Sequence, residues 1–135
     1  MIRRLRVRLI SAPMLNRKLK SGSKIALLDL LDFEDEAAIE SPKAIPSAFR
    51  IDPSRLRNSP RISVPDDVEI VLYGSSRSEI VSAQAALALR RIGVENVWIL
   101  EGGIHGWRDR GLPLSQFPDV PEAVAARLGV RLPEA

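Results

Sequence analysis

Short apolar runs, each closed by turn residues and each followed by a helix-like segment, dominate this chain. KIALLDL at 24–30, VEIVLY at 68–73 and NVWIL at 96–100 are too short for buried helices and too continuous for strands with one wet face. Such runs mark strands covered on both sides, as in a parallel sheet. The segments between them carry helix punctuation. Ser11 is a good N-cap for a helix ending near Lys20, with Pro13 in the first turn, Arg17, Lys18 and Lys20 at the negative end and Gly22 as the stop. Asp32 can cap a second helix over 33–40, which Ser41 and Pro42 end. Residues 48–51 read as a short strand, and 52–66, with three prolines, as loop with one helical turn. The strongest helix covers 79–92, rich in alanine and leucine, with Arg90 and Arg91 in its last turn and Gly93 beyond. Gly102 and Gly103 open a short helix through Trp107 to Arg110, and a last one runs from Pro121 to near Leu128, followed by Gly129. Strands alternating with helices predict an α/β domain with a mainly parallel sheet, and 135 residues suffice for one core.

Charge divides the chain. Residues 1–20 hold seven cations and no acid, so with a net charge of +3 the remainder is −4. Six acids, Asp29, Asp32, Glu34, Asp35, Glu36 and Glu40, fall within twelve residues. The opening MIRRLRVRLI is no secretory signal, because arginines interrupt any apolar stretch. A basic arm of this kind suits a nucleic-acid or membrane-surface adaptor. Yet Leu5, Val7 and Leu9 alternate with Arg4, Arg6 and Arg8, the pattern of a half-buried strand with a solvated face, and no aromatic side chain is present there to stack on a base. The strand reading is preferred and nucleic acid is disfavoured as a partner.

The chain contains no cysteine and one histidine. That composition excludes a disulfide framework, a cysteine zinc site, an iron–sulfur cluster, a thiol nucleophile and any multi-histidine metal site. No cofactor or metal is expected. No apolar run approaches the ~18 residues that span a bilayer. A cytoplasmic location is the expectation. His105 is expected to be exposed and uninvolved. Glu34, Asp35 and Glu36 are expected to be a solvated first helical turn, because consecutive residues point different ways around a helix. Trp98 and Trp107 are expected to be core or helix-packing residues. Asp29 and Asp32 flank a strand end, where a paired acid–base role is conceivable, but capping accounts for Asp32 without chemistry.

Ligands of parallel α/β sheets bind beyond the carboxyl ends of the strands. Of the segments that leave strands there, Gly74, Ser75, Ser76, Arg77, Ser78 and Glu79 form the best candidate. Small residues join a buried strand to the longest helix, so backbone N–H groups would converge at a helix N-terminus and cradle an anion. The GxxxxGK[ST] spacing of a P-loop is missing, and a plain strand-to-helix turn that binds nothing has the same look. A guanidinium at Arg77 would add affinity for sulfate, phosphate or a partner's carboxylate.

The string VEIVLYG-SSRSEIVSAQAALALRRIGVENVWILEGGIHGWRDRGLPL resembles the C-terminal half of a rhodanese-like domain. Tyr73, Gly93, Val97, Gly102, Gly103, Trp107, Gly111, Leu112 and Pro113 fall on the family's pattern. Ile10 and Ser11, LLDLLDFEDEAAI and AIPSAFRI fit its N-terminal half. The resemblance covers residues 10–114 and implies a three-layer α/β/α domain, preceded by a basic strand or arm at 1–9 and followed by a tail at 115–135 with a short helix. In active members a cysteine at the position of Gly74 takes a sulfane sulfur and holds it as a persulfide. Glycine has no side chain to do so, and the neighbouring serines lack the sulfur chemistry. Leu31 and Glu79 also stand where many members carry arginine. The resemblance therefore implies a binding or regulatory module without catalysis, using the loop at 74–79 for a small anion (sulfate, thiosulfate or phosphate) or a protein partner. The alternative it leaves open is a sulfurtransferase of altered mechanism, or one whose nucleophile Gly74 replaces.

Overall fold

The computed structural model describes residues 8–31, 43–58, 62–75 and 79–132. Five parallel strands form one sheet: β1 (Arg8–Ile10), β2 (Ile25–Asp29), β3 (Phe49–Arg50), β4 (Glu69–Tyr73) and β5 (Val97–Leu100), in the order β1-β5-β4-β2-β3. The helices are α1 (Ala12–Lys20), α2 (Pro53–Asn58), α3 (Glu79–Arg91), α4 (Gly103–Asp109) and α5 (Pro121–Leu128). Alternate residues of each strand enter different apolar clusters, which is the period-two geometry of a pleated strand. Leu27, Val71, Tyr73 and Leu100 pack with Leu15 of α1 and with Ile104 and Trp107 of α4. Leu28, Ile70, Leu72 and Ile99 pack with Leu56 of α2, Ala85 and Leu89 of α3 and Val124 of α5. Two covered faces explain why the strands read as unbroken apolar runs, and β2 is buried from end to end.

The helix signals act as read. The Ser11 side chain accepts from the Met14 N–H at 3.2 Å. Gly129 closes α5 with φ of 71°, a left-handed conformation that costs glycine little. Two expectations are corrected. The 52–66 stretch holds a six-residue helix rather than a single turn: Pro53 sits at the first position, where its missing N–H is harmless, and Asp52 accepts from the Ser54 N–H at 2.9 Å. Leu9, expected on the buried face, is 54% exposed. Arg8 and Ile10 take the α1 side, with Ile10 buried and the Arg8 guanidinium 4.3 Å from the Trp98 ring centroid. Leu9 therefore projects from the other face, where α3 packs on β4 and β5 and β1 lies one strand farther out. Trp107 is fully buried as expected, whereas Trp98 is half-buried beneath Arg8. The basic residues before Arg8 and the helix expected over 33–40, with Asp32 and the acids Glu34, Asp35 and Glu36, lie outside the described residues.

The segment after α4 returns along the sheet edge. Ala44 and Ser115 exchange backbone hydrogen bonds at 3.0 and 2.7 Å, the Asp119 N–H donates to the Ala48 carbonyl at 2.7 Å, and Ser63 and Arg131 exchange two more. Val124 and Val130 of this tail are buried.

One buried polar group joins three strands. Asp29, fully buried at the end of β2, accepts from Arg50 Nε and Nη2 at 3.2 and 3.1 Å, from the Tyr73 hydroxyl at 2.8 Å and from the Leu31 N–H at 2.9 Å. The register places Asp29 between its Cα partners Arg50 of β3 and Tyr73 of β4. The Tyr73 oxygen in turn accepts from the Ile45 N–H at 3.2 Å. Burial, and next the adjacent Asp29 carboxylate, push the Tyr73 phenol well above its ordinary 10.0.

Three outcomes follow from this architecture. Arg50→Met strands a buried carboxylate and lowers the unfolding free energy by about 3 kcal/mol, measured by denaturant titration. Tyr73 is the single tyrosine, so tyrosinate absorbance reports it alone. Its folded value is raised, so its contribution is complete below pH 10.0 and is lost as pH climbs past that value, where only the unfolded chain releases the proton. Tyrosinate absorbance will thus appear together with alkaline unfolding and not before it. Finally, Ser47 holds φ of 70° in the turn that precedes β3. Ser47→Gly relieves that strain and raises stability by about 1 kcal/mol, read as a higher denaturant midpoint at unchanged slope.

Candidate functional site

The carboxyl ends of the strands form a continuous rim. The Leu30 N–H donates to the Tyr73 carbonyl at 2.8 Å, and the Glu101 N–H donates to the Ile10 carbonyl at 2.9 Å. The Ile104 N–H donates to the Gly74 carbonyl at 2.9 Å, so the residue after β4 is held by the first turn of α4. That contact needs a tight reversal after β5. Gly102 and Gly103 supply it with φ of 77° and 57°, and a Cβ on Gly102 would lie 3.4 Å from the Gly106 Cα. The double glycine is thus a backbone requirement of the rim.

Of the six residues picked out in the sequence, Gly74 and Ser75 sit at this rim, and Glu79 opens the thirteen-residue α3. Ser75 is buried and engaged. Ser76, Arg77 and Ser78 lie outside the described residues. Ile80, in the first turn of α3, is an apolar side chain 74% exposed. The arrangement offers main-chain groups and a helix N-terminus, with no nucleophile at residue 74.

The other candidates resolve differently. Asp29 cannot act as an acid–base partner of Asp32, because Arg50, Tyr73 and Leu31 occupy its oxygens. Asp52 is held below the usual carboxylate range by the Ser54 N–H and hydroxyl, with smaller help from Arg57 and Arg55. His105, expected exposed and uninvolved, is half-buried in α4 and engaged with its surroundings, because its helix is pressed onto the sheet through Ile104 and Trp107. Among the described residues no group of three or more His, Asp or Glu could hold a metal ion. Sequence reading missed Arg50 as the partner of Asp29 and missed the hydroxyl of Tyr73 as a link in the same cluster. A charged residue paired with a polar one at neighbouring strand ends was the available signal, and it becomes visible only once the register is known.

Comparison with known proteins agrees with this geometry. The model of the rhodanese-like domain family matches residues 11–110. A protein of Synechococcus elongatus, named provisionally as a thiosulfate sulfurtransferase, is 29% identical over 93 residues; the match takes in 68% of this chain and 28% of that protein, so the chain spans less than a third of its relative. Among solved structures, a protein of unknown function from Rhodopseudomonas palustris, described as a possible tyrosine phosphatase, superposes with a TM-score of 0.65 at 26% identity, covering 81% of this chain and 85% of that one. A rhodanese-related protein from Thermoplasma volcanium gives 0.57 at 22% identity, over 81% and 98% of the two chains. SseA of Escherichia coli, a 3-mercaptopyruvate sulfotransferase, gives 0.63 at 20% identity, over 84% and 52%. The family match takes in residues 11–110, most of the chain: the chain belongs to the rhodanese-like domains.

Proposed function

We propose that this rhodanese-like domain is a binding or regulatory module rather than a sulfur-transfer catalyst. Its ligand is a small oxyanion (sulfate, thiosulfate or phosphate) or an anionic group of a protein partner, taken at residues 74–79. The observation that carries this reading is Gly74, which stands at the end of β4 in a chain without a single cysteine. Sulfur transfer in this family requires a thiolate that accepts a sulfane sulfur and carries it as a persulfide. Residue 74 offers a backbone carbonyl, already engaged by the Ile104 N–H, and nothing to attack with. What remains of the site is its frame: the rim and the N-terminus of α3, an end of a helix suited to negative charge.

The alternative reading is a sulfurtransferase whose nucleophile has been replaced, and the name of the Synechococcus elongatus relative favours keeping it. One pair of proteins separates the two. In a thiosulfate-to-cyanide assay the unaltered chain should give no transfer above the buffer rate, and Gly74→Cys should give measurable turnover on an intact frame. Equal transfer by both proteins would overturn the binding-module reading. For the ligand, the amide resonances of Gly74, Ser75 and Ile80 should shift on titration with sulfate, thiosulfate or phosphate at roughly millimolar concentration. Unmoved amides through that range would remove the oxyanion from the proposal and leave the protein partner.

A further inference from the structure

A second surface, on the α2 and α3 side of the sheet, holds two arginines that no carboxylate pairs with among the described residues. Arg57 of α2 and Gln84, Leu87, Ala88 and Arg91 of α3 line a groove of about 330 Å³. Gln84, Leu87, Ala88 and Arg91 follow at three- and four-residue steps, so they form one stripe on α3. Arg57 crosses to that stripe and donates from Nη1 to Gln84 Oε1 at 2.9 Å. The bond holds the guanidinium at the groove through a neutral amide rather than a carboxylate.

Four other cations lie in ion pairs. Lys18, Lys24, Arg50 and Arg127 each meet a carboxylate, Glu69, Asp67, Asp29 and Asp119 respectively. Among the described residues no carboxylate pairs with Arg57 or Arg91. Asp52, at the start of α2, is the acid that feels Arg57 and Arg55, and its carboxylate is bonded to Ser54. Arg55 and Arg90 flank the same two helix ends, and a basic last turn suits each helix dipole. The dipole does not account for Arg57 reaching across to another helix.

We propose that this groove docks an acidic polypeptide segment of a partner protein, with carboxylates on Arg57 and Arg91 and an aliphatic side chain on the Leu87–Ala88 floor. Guanidinium forks match carboxylates in pairs, and an apolar floor between two cations selects a chain that carries both acid and hydrocarbon. A nucleic acid fits less well, since no aromatic side chain lines the groove to stack a base. The groove draws on none of the residues at 74–79, so it stands independently of the proposed anion site.

The test uses the full chain and a fluorescently labelled peptide of alternating glutamate and leucine. A lysine–leucine peptide serves as the charge control and oligothymidylate as the nucleic-acid control. The glutamate peptide should bind saturably, and the surface double variant R57E/R91E should weaken it about tenfold or more with circular dichroism unchanged. The lysine peptide should not bind the unaltered chain. Absence of saturable binding of the glutamate peptide, or equal affinity in the double variant, would overturn the proposal. So would oligothymidylate binding as tightly with the same loss on charge reversal.

Discussion

A fully buried carboxylate is costly unless every oxygen is answered, and the Asp29 carboxylate is answered by four donors from three directions. Parallel strands have no hairpin to set their register, so the match of β2 with β3 and β4 must come from side chains and packing. A single-residue slip of either neighbour would pull Arg50 or Tyr73 onto the opposite face and leave Asp29 alone among hydrocarbon. The ion pair thus contributes less as net stability than as a penalty on every wrong alignment. The Tyr73 hydroxyl carries the constraint outward to the Ile45 backbone, and so to the turn that feeds β3.

The rim inherits its precision from that alignment. Gly74 is the next residue after Tyr73, so whatever fixes Tyr73 fixes the start of the loop. On the other side, the Gly102–Gly103 reversal lets α4 hold the Gly74 carbonyl. A frame this well tied does not depend on the side chain at residue 74. That is the physical reason the fold stands with glycine at the residue after β4. The two surfaces considered above, the rim and the α2–α3 groove, lie on parts of the molecule whose order is set by burial elsewhere.

Much of this was legible in the residues, where a local rule was sufficient. β2, β4 and β5 declared themselves as unbroken apolar runs because both faces of the sheet are covered. α1 and α5 were bounded by Ser11, Pro121 and Gly129, whose effects act within one helical turn. What stayed hidden depends on partners distant in the chain. Arg50 and Asp29 are 21 residues apart and meet only through strand register. Leu9 follows an alternation whose phase β5 decides, and that phase lets Arg8 reach both Trp98 and the Glu95 carbonyl at 2.8 Å. The α2 helix hid among prolines because Pro53 occupies the one position where proline aids a helix. At residue 74 the sequence was most informative through what it lacked, and only a family pattern could give that lack a place.

The tail after α4 has a meaning beyond packing. β3 is only two residues long and forms one border of the sheet, where unpaired backbone groups would invite another chain to add itself. Residues 115–119 occupy part of that border, through the Ala44–Ser115 and Phe49–Asp119 bridges. The match to the family model ends at residue 110, short of this stretch. The folding unit and the recognisable unit therefore differ in length. A fragment cut to residues 11–110 would lose β1, with the Ile10 carbonyl of the rim, and the guard on the β3 border, trading a self-contained molecule for one prone to strand-by-strand self-assembly.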